Sequence, residues 1–455
     1  MSKLVVGLAL CLGLTESLQL REEPHYYWSG KNGDLLRTGA SSFGVSFGAL
    51  TAGPAWSWHE KDNGLIRAAP LIDGQKNIYL SSIMGGVHKF TPEGVELWQY
   101  YDTSEIPEVP CLYEGALFVT NTEGIVTKLD MESGKTIWRK KALVHNAVGS
   151  AGDTWSMTAA DGTVITAVSS NMQNNDYLVA MDAESGDVKW SFRPDGIVYN
   201  SLQDVKEGSI VFSDFSGKVY RLNLESGDLI WKAGPGDVDE RVNTDFSTGG
   251  TVIGPNGILY TTSNTHKDDR KRGYVTAFNF SDGKMIWRHC TEYEANNGAV
   301  VGMIGGRLAV AIGVGSNPDL PPDHRTLTDY HLTDNDKRAA VKKARVVALD
   351  AATGEKIWQR ELPAWHGWAA GDTAEPNHIC LPDSFGNPAL SGDGTVYLGF
   401  ESGTFYGIND RNNDGKIDDS EVDTYDTHNA FQGSPAIAPG MVAATPCNGL
   451  HVFKS

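Results

Sequence analysis

The sequence predicts an all-β fold, an eight-bladed β-propeller of four-stranded blades, from three observations. Seven segments repeat one phrase: a short apolar strand, an Asp or Asn, a Gly turn and then an aromatic residue. Their spacing of roughly 40 residues or more is too long for a single hairpin and is typical of propeller blades. The chain has 51 glycines to supply turns, and no segment keeps the apolar period of a helix.

The seven phrases define the first seven blades. Each phrase holds the third and fourth strands of a blade, C and D, and a strand pair before it supplies A and B. The phrases are Val87–Trp98, Val126–Trp138, Leu178–Trp190, Val219–Trp231, Val275–Trp287, Val346–Trp358 and, in altered form, Thr404–Tyr425.

The eighth blade is predicted to combine both ends of the propeller. Residues 434–453 provide three strands without a fourth, and Pro54–Trp58 has the Trp ending without three strands before it. Pairing the two closes the ring and removes an open sheet edge. The expected divisions are a signal peptide at 1–17, a lead-in segment at 18–50 and the propeller at 51–455.

The first residues have the pattern of a secretory signal peptide. Lys3 precedes the apolar run Leu4–Leu14, and the small residues Thr15 and Ser17 stand before the expected cut. This run is too short to span a bilayer, so we expect no membrane span. We expect a monomer in the secretory pathway or outside the cell, or in the periplasm of a bacterium.

The net charge of −19 argues against a nucleic-acid partner, because phosphate binding needs a surplus of Lys and Arg.

The cysteines predict one disulfide. Without the signal peptide the chain keeps Cys111, Cys290, Cys380 and Cys447, and four cysteines allow three connectivities. Cys380 and Cys447 fall in loops of adjacent blades on the same face, so their Cα atoms can approach within the ~6 Å that a disulfide needs. We expect this pair to bond and the other two cysteines to stay free.

The repeated phrase Leu-Asp-x-x-(Ser/Thr)-Gly-x-x-x-Trp resembles the PQQ-like (quinoprotein-type) repeat family. The segment Trp28-Ser-Gly-Lys-Asn-Gly-Asp, followed by Arg37-Thr-Gly, adds to the likeness. The resemblance covers nearly the whole chain after the signal and implies that each D-strand Trp docks between blades. That family includes quinone-dependent alcohol dehydrogenases, a periplasmic scaffold of the outer-membrane assembly machinery and propellers of unknown role, so the fold alone does not fix the function.

The C–D turn of the seventh blade matches the twelve-position EF-hand calcium loop. Oxygen ligands at alternating positions, a Gly at the sharp turn and a bidentate Glu at position 12 are the pattern that wraps a hard Ca²⁺ ion. The expected ligands are Asp410, Asn412, Asp414, the Lys416 carbonyl, Asp418 and Glu421, with Gly415 at the turn. We expect a structural Ca²⁺ that cross-links this longer turn.

Long loops mark the face where a partner is expected to bind. In a propeller the A–B and C–D turns lie on one face, and the B–C and D–A loops lie on the other. Loops beyond the usual length are commonly functional, so we expect a protein, an anionic glycan or a small molecule to bind on the second face. The long loops are Ser169–Asp176, Ser263–Gly273, Gly313–Ala344, Arg139–Thr154 and Glu361–Asn387.

Two features of that face leave alternatives open. Basic residues in the loops of blades 5 and 6 either bind an anionic ligand or solvate the loops while pairing with nearby Asp residues. Trp365–Trp368 and Asn377–Cys380 combine aromatic rings with imidazoles, where the resemblance places a central funnel. The basic residues are Lys267, Arg270, Lys271, Arg272, Lys337, Arg338, Lys342, Lys343 and Arg345.

Two functions remain in view. For a dehydrogenase the resemblance implies a quinone pocket with vicinal cysteines, a Trp floor and a funnel Ca²⁺. The sequence has no vicinal cysteines, and its calcium motif belongs to the other face. We therefore expect a secreted, calcium-binding, non-catalytic interaction scaffold without catalytic residues, and keep a PQQ-dependent alcohol or sugar dehydrogenase as the alternative.

Overall fold

A computed structural model of the chain describes residues 26–61, 64–106, 108–150, 156–171, 175–198, 203–234, 244–246, 249–265, 272–317, 342–372, 380 and 382–455. The predicted signal peptide lies outside these residues. No helix in the described part of the chain is long and apolar enough to cross a membrane.

The described residues form 34 strands, numbered in chain order. The first half comprises β1 (Tyr26–Trp28), β2 (Trp56–His59), β3 (Leu71–Asp73), β4 (Ile78–Ser81), β5 (Gly86–Phe90), β6 (Glu96–Tyr101), β7 (Cys111–Tyr113), β8 (Ala116–Thr120), β9 (Ile125–Asp130), β10 (Thr136–Lys141), β11 (Thr158–Ala160), β12 (Thr163–Val168), β13 (Tyr177–Asp182), β14 (Val188–Phe192), β15 (Gln203–Lys206), β16 (Ser209–Ser213) and β17 (Val219–Asn223). The second half comprises β18 (Leu229–Ala233), β19 (Thr244–Phe246), β20 (Thr251–Ile253), β21 (Ile258–Thr265), β22 (Gly273–Asn279), β23 (Met285–Cys290), β24 (Val300–Ile304), β25 (Arg307–Gly315), β26 (Ala344–Asp350), β27 (Lys356–Glu361), β28 (Ala389–Leu390), β29 (Val396–Gly399), β30 (Thr404–Ile408), β31 (Val422–Asp426), β32 (Ala436–Ala438), β33 (Met441–Ala444) and β34 (Gly449–Lys454). A single-turn 3-10 helix spans Asp419–Glu421.

These strands form eight antiparallel sheets, which confirms the predicted propeller. Blades 1 to 7 are β3–β6, β7–β10, β11–β14, β15–β18, β20–β23, β24–β27 and β28–β31. Two strands extend this pattern, because β1 pairs with β3 and β19 pairs with the far end of β21. The first strands of neighbouring blades contact one another from β3 round to β28, and again between β32 and β3, so they surround the axis.

The eighth blade is closed by both ends of the propeller, as the sequence predicts. Its order is β2-β34-β33-β32, with β2 on the outside. Trp56 lies opposite Val452 and Trp58 lies opposite Leu450 in an antiparallel ladder. The ring therefore closes through backbone hydrogen bonds between the two ends of the propeller.

Six D-strand Trp residues join their blade to the next one through an indole hydrogen bond. The indole N–H of Trp190 donates to Leu224 O at 2.9 Å, in the C–D turn of the following blade. The turn Gly leaves room for the ring, since a Cβ at Gly227 would lie 2.6 Å from Trp190 Cδ2. The same indole-to-carbonyl bond, at 2.8 to 3.4 Å, is made by Trp56, Trp98, Trp138, Trp231 and Trp287. The predicted structural role of these side chains is confirmed.

Trp358 departs from this pattern. Its ring is 1 % exposed and packs among apolar residues of blades 6 and 7. Its indole N–H has no acceptor among the described residues. The reason is that the blade 7 turn, which would offer the carbonyl, is replaced by the longer loop 409–421.

Residues 26–46 lie on the propeller axis, a placement that the sequence analysis did not predict; we call them the axial segment. Their carbonyl oxygens accept backbone N–H groups from one blade after another. The donors are Leu112 in blade 2, Val205 in blade 4, Ile253 in blade 5, Val301 in blade 6, Leu390 in blade 7 and Gly440 in blade 8. Several of these donors lie in or beside A–B turns, so the segment fills the end of the axis at the face that carries the A–B turns.

Arg37 anchors the axial segment to blades 3 and 4. Its side chain is buried and donates to Gln203 O at 3.0 Å and to Met157 O at 3.1 Å. It also donates to the Thr158 hydroxyl and to Lys31 O. A buried guanidinium needs such acceptors, because an unpaired buried charge is costly.

Two buried histidines flank the closing strand β2 and respond to pH in opposite directions. His88 Nδ1 lies 2.7 Å from Glu96 Oε1; burial opposes its charge, but the contacts with Glu60 and Glu96 outweigh burial and raise its pKa. His451 bonds Ser57 Oγ at 2.9 Å, and burial, helped by His59, lowers its pKa to about 4.

We predict that Trp190→Phe destabilises the protein more than Trp358→Phe does. Both changes remove a buried indole, but only the first breaks a hydrogen bond and leaves Leu224 O without its donor. The expected difference in the free energy of unfolding is about 1 kcal/mol. Urea denaturation of both variants in EDTA measures it, and equal losses would mean that the indole bonds do not hold the blades together.

We predict that His451→Gln makes the stability less sensitive to acid. When the folded pKa of a histidine is depressed, the protein loses stability as the pH falls below the unfolded pKa of that histidine, here between roughly pH 6.5 and about pH 4. The Gln variant cannot gain this proton. Thermal melts from pH 7 to pH 4 should therefore fall less steeply than in the wild type. His428→Gln, at an exposed position, is the control and should follow the wild type.

Candidate docking face and calcium-binding loop

The predicted calcium loop lies between β30 and β31 and is folded around its own backbone. Asp410 accepts the N–H groups of Asp414 at 3.1 Å and Gly415 at 3.0 Å. Glu421 accepts those of Arg411 at 2.9 Å and Asp418 at 3.2 Å. The first and last predicted ligands therefore hold the loop in a closed turn.

The two end carboxylates are buried, whereas the middle ligands are not. Asp410 is 6 % and Glu421 is 4 % exposed, and among the described residues neither forms an ion pair with Lys, Arg or His. Asn412, Asp414 and Asp418 are exposed. Serine contacts lower the pKa of Asp418, through the hydroxyl and then the N–H of Ser420.

No group of three or more His, Cys, Asp or Glu side chains in the described residues is arranged to hold a metal ion. The predicted ligand set also uses the Asn412 amide and the Lys416 carbonyl. Calcium binding would draw the exposed Asp414 and Asp418 toward Asp410 and Glu421. The structure does not test this step, and calcium binding stays a prediction.

The loop packs on the preceding blade rather than projecting into solvent. Ile417 is buried against Trp358, and Arg360 of β27 donates to Ile417 O at 3.0 Å. Arg360 also pairs with Asp419 at 2.5 Å. The loop thus replaces the usual Trp bond between blades 6 and 7 with its own contacts.

Asp423, two residues after the loop, holds the chain that leads into β2. Its carboxylate accepts the N–H groups of Gly48, Leu50 and Thr51, each at 2.9 Å, and the Thr51 hydroxyl at 2.7 Å. The loop, β31 and the closing strand are therefore linked through one buried carboxylate.

On the opposite face, the predicted aromatic segment lines an open groove of about 560 Å³, which we call the Trp365 groove. Trp365 donates its indole N–H to Trp368 O at 2.8 Å, and the Trp368 ring is 36 % exposed. His428 and Asp426 form an exposed pair at 3.1 Å across the groove. Asp426 ends the outer strand β31, so this wall of the groove lies at the outer side of blade 7.

The basic residues fall into three groups. Arg345 is paired with Glu292 and Glu361, both at 2.7 Å, and Lys342 is buried where its backbone bridges Trp365. For these two, pairing and burial favour a structural role over an anionic ligand. Arg272 and Lys343 are exposed. The other five, Lys267, Arg270, Lys271, Lys337 and Arg338, lie outside the described residues, as do Asn377 and His378.

The disulfide joins Cys380 to Cys447, with a Cα–Cα distance of 5.8 Å. Cys111 and Cys290 are free, so the predicted pattern is confirmed for the described cysteines. The Cys447 carbonyl accepts from Ile66 N, and its own N–H donates to Ala430 O, both at 2.8 Å. The disulfide therefore lies where blades 7, 8 and 1 meet.

The described residues do not fit the quinone pocket that the resemblance implies. The disulfide joins residues 67 positions apart instead of vicinal cysteines. We derive no chemical step through a quinone.

Comparison with known proteins assigns the family. The family model described as "Outer membrane protein assembly factor BamB" (PQQ_2) matches residues 83–264 and 271–449, which is more than half of the chain. The chain belongs to this family. A BamB protein from Francisella salina is 28 % identical over 126 residues, 28 % of this chain and 22 % of that relative. The chain spans between 22 % and 64 % of the length of the curated relatives that it matches.

Solved structures agree with the BamB-type fold. BamB from Moraxella catarrhalis has a TM-score of 0.56 at 15 % identity, covering 88 % of this chain and 97 % of that one. A quinohemoprotein alcohol dehydrogenase from Comamonas testosteroni has a TM-score of 0.68 at 14 % identity, covering 94 % and 80 %. Identities this low show the fold alone.

Sequence reasoning missed three features of this region: the axial segment, the Asp423 link and a cavity beside the disulfide. The cavity has no local signal, because its walls come from residues near 60, 372 and 448. The sequence pattern of the family includes Arg37-Thr-Gly, but it did not predict the contacts of Arg37 with blades 3 and 4. Long-range closure brings these residues together.

Proposed function

We propose that this protein is a non-catalytic scaffold outside the cytoplasm that binds another protein at the Trp365 groove. The exposed Trp368 ring beside the His428–Asp426 pair carries the proposal. A partly exposed aromatic ring next to polar groups is characteristic of protein interfaces. Family membership supports it, because relatives of this family are named outer membrane protein assembly factors.

The location rests on the signal-like first residues and on the disulfide. Disulfides persist in oxidising compartments and are rare in the cytosol, and the BamB-type relatives are named for the outer membrane. Cleavage after Ser17 would leave Leu18 as the first residue. N-terminal sequencing of the exported protein checks this, and a retained Met1 would contradict export by cleavage.

A Ca²⁺ ion in loop 410–421 is part of the proposal. Asp410 and Glu421 bring two carboxylates into a buried turn, and neither forms an ion pair with a cationic side chain among the described residues. Buried charges need a partner, and the oxygen set of this loop suits calcium. By fixing β31, the ion would also fix Asp423 and the 48–51 turn that leads into the closing strand.

We predict that Asp410→Ala combined with Glu421→Gln abolishes calcium binding and the calcium-dependent rise in melting temperature. Ligand stabilisation follows RT ln(1 + [L]/Kd), or about 2.7 kcal/mol at a hundredfold excess over Kd. Calorimetric titration and thermal melts with Ca²⁺ or EDTA measure both effects. Asp419→Asn is the matched control, since Asp419 pairs with Arg360 and is not a predicted ligand. If the double variant bound Ca²⁺ as tightly as the wild type in these titrations, the calcium assignment would be wrong.

We predict that a photo-crosslinking amino acid at position 368 captures one specific protein in the native host, whereas the same probe at Lys284 does not. Lys284 is 82 % exposed and lies in a C–D turn on the opposite face. Adding Trp365→Ala should reduce the crosslink, because Trp365 lines the same groove. Equal crosslinking from both faces, or none from position 368, would contradict the docking face.

The alternative function has its own readout. If the protein were a quinone-dependent dehydrogenase, adding PQQ and Ca²⁺ would produce a quinone absorption band and dye-linked oxidation of alcohols or sugars. We expect neither, because the disulfide joins residues 67 positions apart and not the vicinal cysteines of the implied pocket.

A further inference from the structure

A second cavity, separate from the Trp365 groove, lies at the seam where blades 7, 8 and 1 meet. It has a volume of about 300 Å³ and is lined by His59, Glu60, Asp372, Asn429, Asn448 and the Cys380–Cys447 disulfide. Residues 370–372 separate it from the groove, since they line both spaces. We call it the seam cavity.

Three of its lining residues carry a buried oxygen that accepts no hydrogen bond from the described residues. These oxygens are Glu60 Oε2, Asp372 Oδ2 and Asn448 Oδ1. Asp372 uses its other oxygen to accept the Cys380 N–H at 2.7 Å. Buried acceptors in native proteins are nearly always paired with protein groups or ordered water, so these oxygens make the cavity suitable for a group that donates hydrogen bonds.

The carboxyl groups of Glu60 and Asp372 favour a hydrogen-bond donor that carries a positive charge. Glu60 Oε2 lies 3.5 Å from His88 Nε2, and the Glu60 side chain is 6 % exposed. Burial raises the pKa of Glu60, but the contact with His88 outweighs burial and lowers it, so this carboxylate is charged at neutral pH. Burial raises the pKa of Asp372 to about 7, opposed by the Cys380 N–H and Arg67.

We propose that the seam cavity binds a primary ammonium group, with Glu60, Asp372 and Asn448 accepting its three N–H bonds. An ammonium carries three donors and no acceptor. This suits two oxygens without a partner among the described residues, Asp372 Oδ2 and Asn448 Oδ1, and a third, Glu60 Oε2, whose contact is His88 Nε2 at 3.5 Å. Its charge is balanced by the carboxylates, as charge-assisted hydrogen bonds require. The group comes either from a small free amine or from a Lys side chain of a bound protein, and the inference stands independently of the proposed docking function.

Binding should strengthen as the pH rises. Asp372 is neutral below its pKa of about 7 and charged above it, so the cavity gains a negative charge between pH 6 and pH 8. Other groups that face this carboxyl are Arg67 and the Cys380 N–H, while His59 and Glu60 line the same cavity. A cation that prefers the ionised carboxylate will also release a proton when it binds at neutral pH.

The test is calorimetric titration of the full chain at pH 6 and pH 8 with n-butylammonium and with Nα-acetyl-lysine N-methylamide. We expect binding that is tighter at pH 8. Asp372→Asn should weaken it about tenfold at pH 8, equivalent to about 1.4 kcal/mol, and should remove the pH dependence. Asn448→Asp adds a carboxylate and should tighten binding, which keeps the test decisive if Asp372→Asn fails to fold.

The controls separate the outcomes. Glu132→Gln changes a 95 % exposed carboxylate in the C–D turn of blade 2 and should bind as the wild type does. Binding of both amines would support a Lys side chain as the source, and binding of n-butylammonium alone would support a free amine. No binding by the wild type at pH 8, equal binding of neutral n-butanol, or unchanged affinity in both cavity variants would overturn the proposal.

Discussion

The contact on which the whole ring depends is the docking of each D-strand Trp onto the C–D turn of the next blade. One ring does two things there: it fills the space beside a Gly that has no Cβ, and its N–H satisfies a turn carbonyl. The aromatic surface supplies burial, and the hydrogen bond fixes the angle between sheets. Because the contact is made from blade to blade, the blades are held by a chain of similar joints. Apolar clusters accordingly lie between blades, as around Phe212 and Trp190.

The Trp contact between neighbouring blades is altered or replaced mainly in the part of the ring from blade 6 to blade 1. The indole N–H of Trp358 finds no acceptor among the described residues, and the long loop of blade 7 covers this ring through Ile417 and Arg360. The next joints are made by Asp423, by the β2–β34 ladder and by the disulfide. Each bonds residues far apart in the chain. At the seam, a carboxylate, a backbone ladder and a disulfide hold the blades together in place of the repeated Trp contact.

The axial segment gives the ring a second constraint. Its backbone bonds blades 1, 2, 4, 5, 6, 7 and 8 in chain order before the chain reaches β2, so its path and the closure of the ring are coupled. Arg37 adds directional bonds to blades 3 and 4. The segment occupies the A–B end of the axis, and the exposed Trp368 ring lies on the opposite face, among the B–C and D–A loops.

The sequence by itself determined the repeat, and with it the number of blades, their strand order and the structural role of the D-strand Trp residues. These properties are local, because the spacing of strand, turn and Trp recurs along the chain. It also paired Cys380 with Cys447, since blade number and loop face together limit which cysteines can meet. The unusual turn at 410–421 was likewise visible, although its calcium ion remains a prediction.

Only the tertiary structure decided the contacts that join distant segments. Residues 26–46 carry no repeat, and their place on the axis depends on acceptors and donors supplied by many blades. The missing acceptor of Trp358 depends on how a neighbouring turn folds. The seam cavity depends on closure, which brings Glu60, Asp372 and Asn448 to one place. Burial and hydrogen bonding between remote residues are set when the ring closes, and a linear pattern does not encode their distances.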